Sequence, residues 1–342
     1  MQYFDYLKKN DIVGVCAPSM GCGEQSYYRL RCENAIRNLN IKGVNVYFTK
    51  NTFGNTHARS CDAKTRAKEF EELFYNDNVK GIISMAGGEF MLEILPYINF
   101  NKLKKAKNKF YQGFSDNTCL TFLLTTLCDF ATIYGTNFCS LGMAKYDKSL
   151  NNNMNFLFGK NKTQTSFSKM ESDGNFRREP GHELDGYKLD TKTNPVVLCG
   201  KQDGEVTGRV IGGCLDILIS ICGTKFDKVK QFNKKYQKDG IIWYFESCDL
   251  NVVSQCRAIW QLKNAGWFKN AKAIIIGRAL NQESQFDYTY FDANLEHLKD
   301  LGVPVIINAD IGHTSPTWYM VNGSLATFRY SKNKASISFD FV

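Results

Sequence analysis

The chain has 342 residues, of which 43% are hydrophobic and 23% are charged. These values exclude an intrinsically disordered, collagen-like or coiled-coil protein, and at roughly 100–200 residues per domain the length predicts two domains, with one large domain as the alternative. The net charge is +9, but the lysines stand in separate short clusters rather than along one helix with interleaved aromatic residues. We therefore expect no nucleic-acid partner.

Twelve cysteines raise the question of a disulfide framework or a metal site. No Cys-x-x-Cys spacing occurs, and several cysteines lie inside apolar segments, where a thiol behaves as a small hydrophobic side chain. The chain also lacks a Walker motif, a His-Glu-x-x-His motif and an EF-hand pattern, and Gly21-Cys22-Gly23 lacks the third glycine of a dinucleotide fingerprint. We predict neither a metal nor a cofactor.

Targeting signals are also missing from the sequence pattern. No apolar run approaches the roughly 20 residues of a membrane span, and the first residues include an acidic side chain and no signal-peptide core. These observations predict a cytoplasmic protein with reduced thiols and no membrane partner.

Short apolar runs alternate with small-residue turns and helix-period segments in the first half of the chain. This alternation is typical of parallel α/β units, whose ligands bind at the edge where the strands end. Asp62 is placed to cap the second helix. The predicted strands are 11–17, 44–49, 79–85 and 109–112, and the predicted helices are 25–39, 62–75, 90–97 and 117–127.

Periodicity fails after residue 150, where Asn, Lys, Ser, Asp, Gly and Glu dominate. We predict a first domain over 1–150, a polar linker or long loop over 151–192, and a second domain over 193–342 that is α/β or rich in strands. In this second domain the predicted strands are 195–199, 205–211, 241–245, 273–276 and 303–308, and the predicted helices are 215–221, 253–265 and 291–301.

Ser115 is the most informative candidate for chemistry. It lies between a predicted strand and a predicted helix in Gly113-Phe114-Ser115-Asp116-Asn117, the context of a nucleophile elbow. Helix amides at this position favour a developing oxyanion. The pattern is Gly-x-Ser-x-Asn rather than Gly-x-Ser-x-Gly, so a serine that only caps the helix stays open as the alternative.

A serine nucleophile needs a base and a carboxylate that orients the base. Of the four histidines, His57 and His182 fall in polar loops, and His297 has charged neighbours at a helical position. His313 follows an apolar strand in a glycine-bearing turn, so we predict it as the base, with a purely structural histidine as the alternative. The carboxylate candidates are Glu246, at the end of the apolar strand 241–245, and Asp249 as a fallback; a structural ion pair also stays open.

Gly87 and Gly88 follow the third predicted strand. Their backbone amides can approach a ligand closely because glycine has no side chain. We predict that they form one wall of an oxyanion hole and that the amide of Asp116 forms the other, with a plain turn as the alternative.

Several blocks together resemble one known family. They are 80–88 (KGIISMAGG), 113–116 (GFSD), 208–213 (GRVIGG), 245–246 (FE) and 312–314 (GHT). In this order and at these separations they resemble the LD-carboxypeptidase family of serine peptidases, which includes murein tetrapeptide carboxypeptidases and microcin C self-immunity peptidases. The resemblance covers nearly the whole chain.

The resemblance implies a flavodoxin-like parallel-sheet domain that carries the nucleophile and a C-terminal domain with a small β-barrel that carries the rest of the triad. It implies that Ser115, His313 and Glu246 act together, with Gly87, Gly88 and Asp116 as the oxyanion hole. It also implies a cofactor-free homodimer.

Two differences bear on the substrate. Murein enzymes of the family usually carry an arginine before the paired glycines, where this chain has Ala86, and the sequence is closer to the microcin-immunity branch. The resemblance implies that this branch stacks an insert tryptophan on a nucleobase. No tryptophan occurs between residues 150 and 242, and here Tyr187 is the candidate, with Phe176 as the other large aromatic residue near the right place. We expect a small peptide or aminoacyl-nucleotide substrate, with murein tetrapeptide or a non-catalytic ligand-binding homologue as alternatives.

Overall fold

The computed structural model describes residues 1–23 and 26–342. Gln25, the predicted first residue of the first helix, lies outside the described residues. The chain divides into two compact units. The first consists of Met1–Asn161 and Asp173–Lys188, and the second of Lys162–Ser172 and Leu189–Val342.

The first unit is built on a parallel sheet. Its strands lie in the order β2-β1-β3-β4-β5, and each neighbouring pair is parallel. This is the flavodoxin-like order of a doubly wound α/β fold, so the predicted fold class is confirmed. The short β5 was not predicted. The strands are β1 (Ile12–Cys16), β2 (Asn45–Phe48), β3 (Val79–Ser84), β4 (Phe110–Gly113) and β5 (Thr132–Tyr134).

Helices follow these strands. Asp62 caps the second helix as predicted, because its side chain accepts a hydrogen bond from the amide of Thr65 at 3.0 Å. The segment 90–97 is a 3₁₀ helix over Met91–Tyr97 that contains Pro96. The α-helices are α1 (Ser26–Ile41), α2 (Ala63–Tyr75), α3 (Phe100–Leu103), α4 (Thr118–Cys128) and α5 (Lys148–Leu157).

The polar segment 151–192 differs from the loop that the sequence predicted. Helix α5 runs into it and buries Leu150, Met154 and Leu157, whose i, i+4, i+7 spacing is masked by intervening asparagines. Asp147 caps this helix through the amides of Ser149 and Leu150. The segment also holds a 3₁₀ helix (Asn175–Arg178) and the short strands β6 (Thr163–Thr165), β7 (Lys169–Met170) and β8 (Thr191–Lys192).

The second unit contains a mixed sheet in the order β6-β16-β15-β10-β11-β12-β13-β9. Strands β10 to β13 are parallel to one another, and the flanking pairs are antiparallel. Every residue of β11 is buried, as expected for a central parallel strand. Besides β6, the strands of this sheet are β9 (Val196–Cys199), β10 (Gly204–Cys214), β11 (Ile241–Glu246), β12 (Ala271–Gly277), β13 (Val305–Ala309), β15 (Leu325–Ser331) and β16 (Lys334–Asp340). The short strand β14 (Met320–Asn322) also belongs to the second unit but is not part of this sheet.

Of the α-helices that the structure describes in the second unit, three have seven residues or fewer, and one has 13. The predicted helix 291–301 ends at Leu295, and a separate 3₁₀ turn covers Lys299–Leu301. Among the described residues, no helix has the length and apolar character needed to cross a membrane. The helices are α6 (Leu215–Ile221), α7 (Val229–Lys235), α8 (Val252–Asn264) and α9 (Tyr290–Leu295).

Candidate active site

Ser115 lies on a sharp turn between β4 and α4. Its φ is 65°, in the left-handed region that non-glycine residues rarely adopt. Such a conformation costs roughly 1–3 kcal/mol and persists only where the surrounding structure holds it. The Ser115 amide donates a hydrogen bond to the Tyr134 hydroxyl at 3.2 Å. The turn therefore has the backbone geometry of a nucleophile elbow.

Asn117 holds this turn from the inside. Its buried side-chain amide donates to the carbonyls of Ala86 and Phe114, each at 2.9 Å, and its oxygen accepts from the Tyr111 hydroxyl. A Cβ atom at Gly113 would lie 2.5 Å from the Asn117 Cγ, so only glycine fits there. One side chain thus links the serine turn to the turn that precedes Gly87.

The Gly87-Gly88 turn follows β3 and lies beside Ser115. A Cβ added at Gly87 would lie 3.1 Å from the Ser115 Cβ and 3.4 Å from its Oγ. Gly88 has a φ of 143°, and a Cβ there would lie 2.3 Å from the Ser19 Oγ. Gly88 therefore needs glycine, whereas a side chain at Gly87 would crowd Ser115, because the Gly87 backbone is adjacent to the serine side chain.

Asp116 has a structural role in addition to the predicted role of its amide. Its carboxylate is buried and accepts hydrogen bonds from the Ser19 hydroxyl and from the Met91 amide, the latter at 2.8 Å. Burial raises the pKa of Asp116, and these hydrogen bonds oppose the rise. The Asp116 side chain therefore links the turn after β1 and the segment after Gly88 to the residues that precede α4.

Glu246 and His313 form a hydrogen-bonded pair in the second unit. The His313 Nδ1 lies 2.8 Å from the Glu246 Oε2, and the Glu246 side chain is fully buried. Burial of His313 disfavours its charged form, but the Glu246 charge and hydrogen bonds to Cys248 and Glu246 raise the pKa of His313 well above its usual value. With Nδ1 paired to a carboxylate, Nε2 is the nitrogen suited to proton transfer.

Two glycines let the loop that carries His313 (residues 310–316, the histidine loop) lie directly over Glu246. A Cβ at Gly277 would lie 2.1 Å from the Ile311 carbonyl oxygen and 3.0 Å from the Glu246 Cβ. Gly312 has a φ of 118°, and a Cβ there would lie 3.0 Å from the Glu246 Oε2. Larger residues at these positions would separate the imidazole from the carboxylate.

Arg278, which the sequence analysis missed, holds the histidine loop on both sides of His313. Its buried guanidinium pairs with Asp310 at 2.5 Å, donates to the Thr314 carbonyl at 2.8 Å and also reaches the Pro316 carbonyl. Its position in the sequence could have marked it as a candidate, because Arg278 directly follows the apolar strand β12. Like Glu246, Arg278 is an ionisable residue at the end of an apolar strand, where its charge needs a partner.

The loop after Glu246 is fixed by Asp216. This carboxylate accepts hydrogen bonds from the amides of Cys248, Asp249 and Leu250 at 2.9–3.1 Å. The loop brings the half-buried Cys248 thiol into hydrogen-bond contact with the His313 imidazole. Burial raises the pKa of Cys248, and His313 opposes the rise. No sequence motif pointed to this thiol.

The other sequence candidates lie elsewhere. His57 and His182 are exposed, and His182 pairs with Asp185 at 2.8 Å. His297 follows α9, and Asp249 is exposed, so Glu246 is the carboxylate that contacts His313. Tyr187 is half-buried in the first unit.

The Tyr187 ring packs on Arg177, whose Cζ lies 5.2 Å from the ring centroid and equally far from that of Phe176. The first unit therefore carries Ser115, Gly87, Gly88, Asp116 and Tyr187, and the second carries Glu246 and His313.

Two family models match the sequence. The LD-carboxypeptidase N-terminal domain matches residues 13–135, and the LD-carboxypeptidase C-terminal domain matches residues 207–328. One relative, named "Putative carboxypeptidase YocD", from Bacillus subtilis, is 26% identical over 326 residues, which are 92% of each chain. The microcin C7 self-immunity protein MccF of Escherichia coli is 25% identical over 95% of this chain and 92% of its own.

Solved structures that are similar to this chain include MccF and MccF-like proteins. An MccF-like protein from Bacillus anthracis is 25% identical, covers 99% of both chains and has a TM-score of 0.83. MccF in complex with aspartyl sulfamoyl adenosine is 23% identical over 99% of both chains, with a TM-score of 0.81, and shows the shared fold. The two family models together match well over half of the chain. The chain belongs to the LD-carboxypeptidase family of serine peptidases, as its sequence motifs predict.

Proposed function

We propose that this peptidase hydrolyses an amide-type bond in a small peptide or peptide-nucleotide conjugate through an acyl-enzyme on Ser115. The observation that carries the proposal is the left-handed φ of Ser115 between a parallel strand and a helix. This costly conformation has a use in a nucleophile, because it projects the hydroxyl away from the backbone and towards the helix amides.

In the proposed reaction the Ser115 hydroxyl attacks the scissile carbonyl carbon while His313 accepts its proton. Glu246 stabilises the imidazolium and holds the ring so that Nε2 takes part in proton transfer. The amides of Gly87, Gly88 and Asp116 stabilise the oxyanion. His313 then protonates the leaving amine, and water hydrolyses the acyl-enzyme by the same route in reverse.

We favour a peptide-nucleotide substrate of the microcin C type, so that the protein acts in immunity or detoxification. MccF, which this chain resembles over nearly its whole length, has been solved with aspartyl sulfamoyl adenosine. This chain also has Ala86 directly before the paired glycines, at the position where the murein enzymes usually carry an arginine. Tyr187, backed by Arg177, is the aromatic side chain that we propose for contact with the base.

The alternative substrate is a murein LD-tetrapeptide, from which the enzyme would release terminal D-alanine. Parallel assays with aspartyl sulfamoyl adenosine and the tetrapeptide separate the two, and we expect the higher kcat/KM for the nucleotide. Ser115→Ala should abolish turnover of either substrate, whereas Ser220→Ala, at an exposed serine, should not change it. Full activity of folded Ser115→Ala would contradict the proposed nucleophile.

A non-catalytic, ligand-binding homologue is the remaining alternative. It would bind one of the two compounds without hydrolysing either, and it would give no covalent adduct with a fluorophosphonate. We expect the opposite: one adduct per chain, located on Ser115 by peptide mapping and missing from Ser115→Ala.

We further propose that the protein works in the cytoplasm as a homodimer and that the reaction needs no metal, cofactor, nucleic acid or membrane. All twelve cysteines are free thiols in the structure, which suits a reducing compartment. Light scattering after gel filtration should give twice the mass of one chain. Activity should survive chelators, and a monomeric mass at assay concentration would contradict the dimer.

A further inference from the structure

Three potential metal ligands meet where the end of α9 approaches α8. The ligand atoms of Cys256, Glu296 and His297 all lie within 4.8 Å of one another. Cys256 belongs to α8, and the other two residues directly follow α9. Because Cys256 is distant in sequence from its two partners, no metal-binding motif appears in the sequence.

The three groups supply one sulfur, one nitrogen and one oxygen. This donor set suits Zn²⁺, which takes Cys, His and carboxylate ligands in tetrahedral geometry. The hard cations Ca²⁺ and Mg²⁺ prefer all-oxygen sites and do not fit it. Three protein ligands leave a fourth position for water.

Tyr288 completes the surroundings of the cluster. Its hydroxyl lies 3.1 Å from the Cys256 Sγ and donates a hydrogen bond to Glu296, whose Oε2 is 3.8 Å from the same sulfur. Thiol, phenol and carboxylate are thus in mutual contact beside the proposed metal position.

We propose that Cys256, Glu296 and His297 form a zinc site that links α8 to α9. Binding replaces the thiol proton: the Cys256 S–H bond breaks, a sulfur–zinc bond forms, and one proton passes to solvent. Cys256 and His297 are half-buried and Glu296 is exposed, so the cation can enter from solvent. The exposed Glu296 chain can rotate to shorten the ligand distances.

Bound zinc would stiffen a part of the second unit that supports Glu246. The buried Gln255, next to Cys256, accepts from the Ser247 hydroxyl at 2.8 Å and donates to Asn294 of α9 at 2.5 Å. Tyr290 of α9 donates to the Gly277 carbonyl at 2.9 Å. Because these hydrogen bonds lead from both helices to the ends of β11 and β12, zinc should raise the thermal stability of the unit.

Cobalt titration of the reduced full-length protein tests the site, since Co²⁺ gives thiolate charge-transfer bands and tetrahedral d–d bands. We expect about one Co²⁺ per chain and loss of the bands when Zn²⁺ is added. Cys256→Ser should lose the charge-transfer bands, and His297→Gln should weaken binding at least tenfold. The matched controls Cys199→Ser and His182→Gln, at a half-buried cysteine and an exposed histidine, should keep both.

Zinc should also raise the Tm of the wild-type protein but not that of Cys256→Ser. Circular dichroism of each variant without metal establishes that it is folded. The absence of charge-transfer bands in the wild-type protein, or their persistence in folded Cys256→Ser, would overturn the proposal. Neither result depends on peptidase activity.

Discussion

Arg278 and Asp310 form a buried ion pair, and Arg278 binds residues on both sides of His313 in the chain. Nη1 of Arg278 lies 2.5 Å from Oδ1 of Asp310, and the same guanidinium binds the carbonyl of Thr314, directly after the histidine. The base of the proposed reaction is therefore positioned by a side chain that binds the residues on either side of it.

Replacing Arg278 should damage both stability and catalysis. Arg278→Met leaves the Asp310 carboxylate buried without its partner, which typically costs about 3–5 kcal/mol of unfolding free energy. Urea unfolding measures this loss. At temperatures where the variant is still folded, kcat should also be lower than that of the wild-type protein, because the loop that carries His313 is no longer held by Arg278. Arg329→Met is the control, because its pair with Glu205 is exposed and should contribute at most about 1 kcal/mol.

The rate should depend on the protonation of His313 with a midpoint above the usual histidine value. Only the neutral imidazole can accept the serine proton, and Glu246 and Cys248 raise the pKa of His313 well above 6.5. A plot of kcat/KM against pH should therefore rise through a midpoint above 6.5.

Glu246→Gln removes the charge that favours the imidazolium. Its midpoint should move to lower pH, and its rate should fall because the ring is no longer oriented. His182→Gln, at an exposed histidine paired with Asp185, should leave the profile unchanged. An identical midpoint in wild type and Glu246→Gln would refute the assignment.

A methyl group at Gly87 should affect catalysis more than folding. The added Cβ would lie 3.4 Å from the Ser115 Oγ, where it crowds the hydroxyl and the proposed oxyanion. We expect kcat/KM to fall about 100-fold, comparable to the loss of one oxyanion donor. Gly186→Ala is the control, because a Cβ there has only the Met143 sulfur within 4 Å, at 3.8 Å. Equal activity of the two variants would rule out the role proposed for Gly87.

Thiol alkylation should inactivate the enzyme through Cys248. Its contact with His313 means that any group added to the sulfur displaces or blocks the imidazole. Because burial raises the pKa of Cys248, inactivation by iodoacetamide should be slow at neutral pH and faster in alkaline solution. Cys248→Ser should resist inactivation, whereas Cys61→Ser, at another half-buried thiol, should remain sensitive. Inactivation of Cys248→Ser at the wild-type rate would contradict this prediction.

The fold of the first unit was predictable because each strand is a short apolar run that ends in a small-residue turn. The same alternation gave most helices to within a few residues. Helix α5 was missed because asparagines separate its buried Leu150, Met154 and Leu157. Strands β15 and β16 were missed although their buried residues alternate, since their exposed positions are polar and the runs lack an apolar block.

The candidate site residues were predictable only where one residue type stands out at the end of a predicted strand. Ser115 stood at a strand-to-helix turn, and Glu246 ended an apolar strand. The long-range contacts of Asn117, Asp216 and Arg278 could not be predicted, because they join these side chains to backbone groups of Ala86, Asp249 and Thr314, which lie in loops distant in sequence. Which loop meets which side chain depends on the register and the crossovers of the two sheets.

The chain does not divide into two contiguous halves, because residues 162–172 belong to the second unit and residues 173–188 return to the first. Arg31 of α1 shows what this return segment supplies: it donates to the carbonyls of Glu183 and Asp185 at 2.6 and 3.0 Å. A fragment that ends at Asn161 would leave this buried guanidinium without those acceptors. Neither unit can therefore be produced intact as a fragment that is cut from the chain at one point.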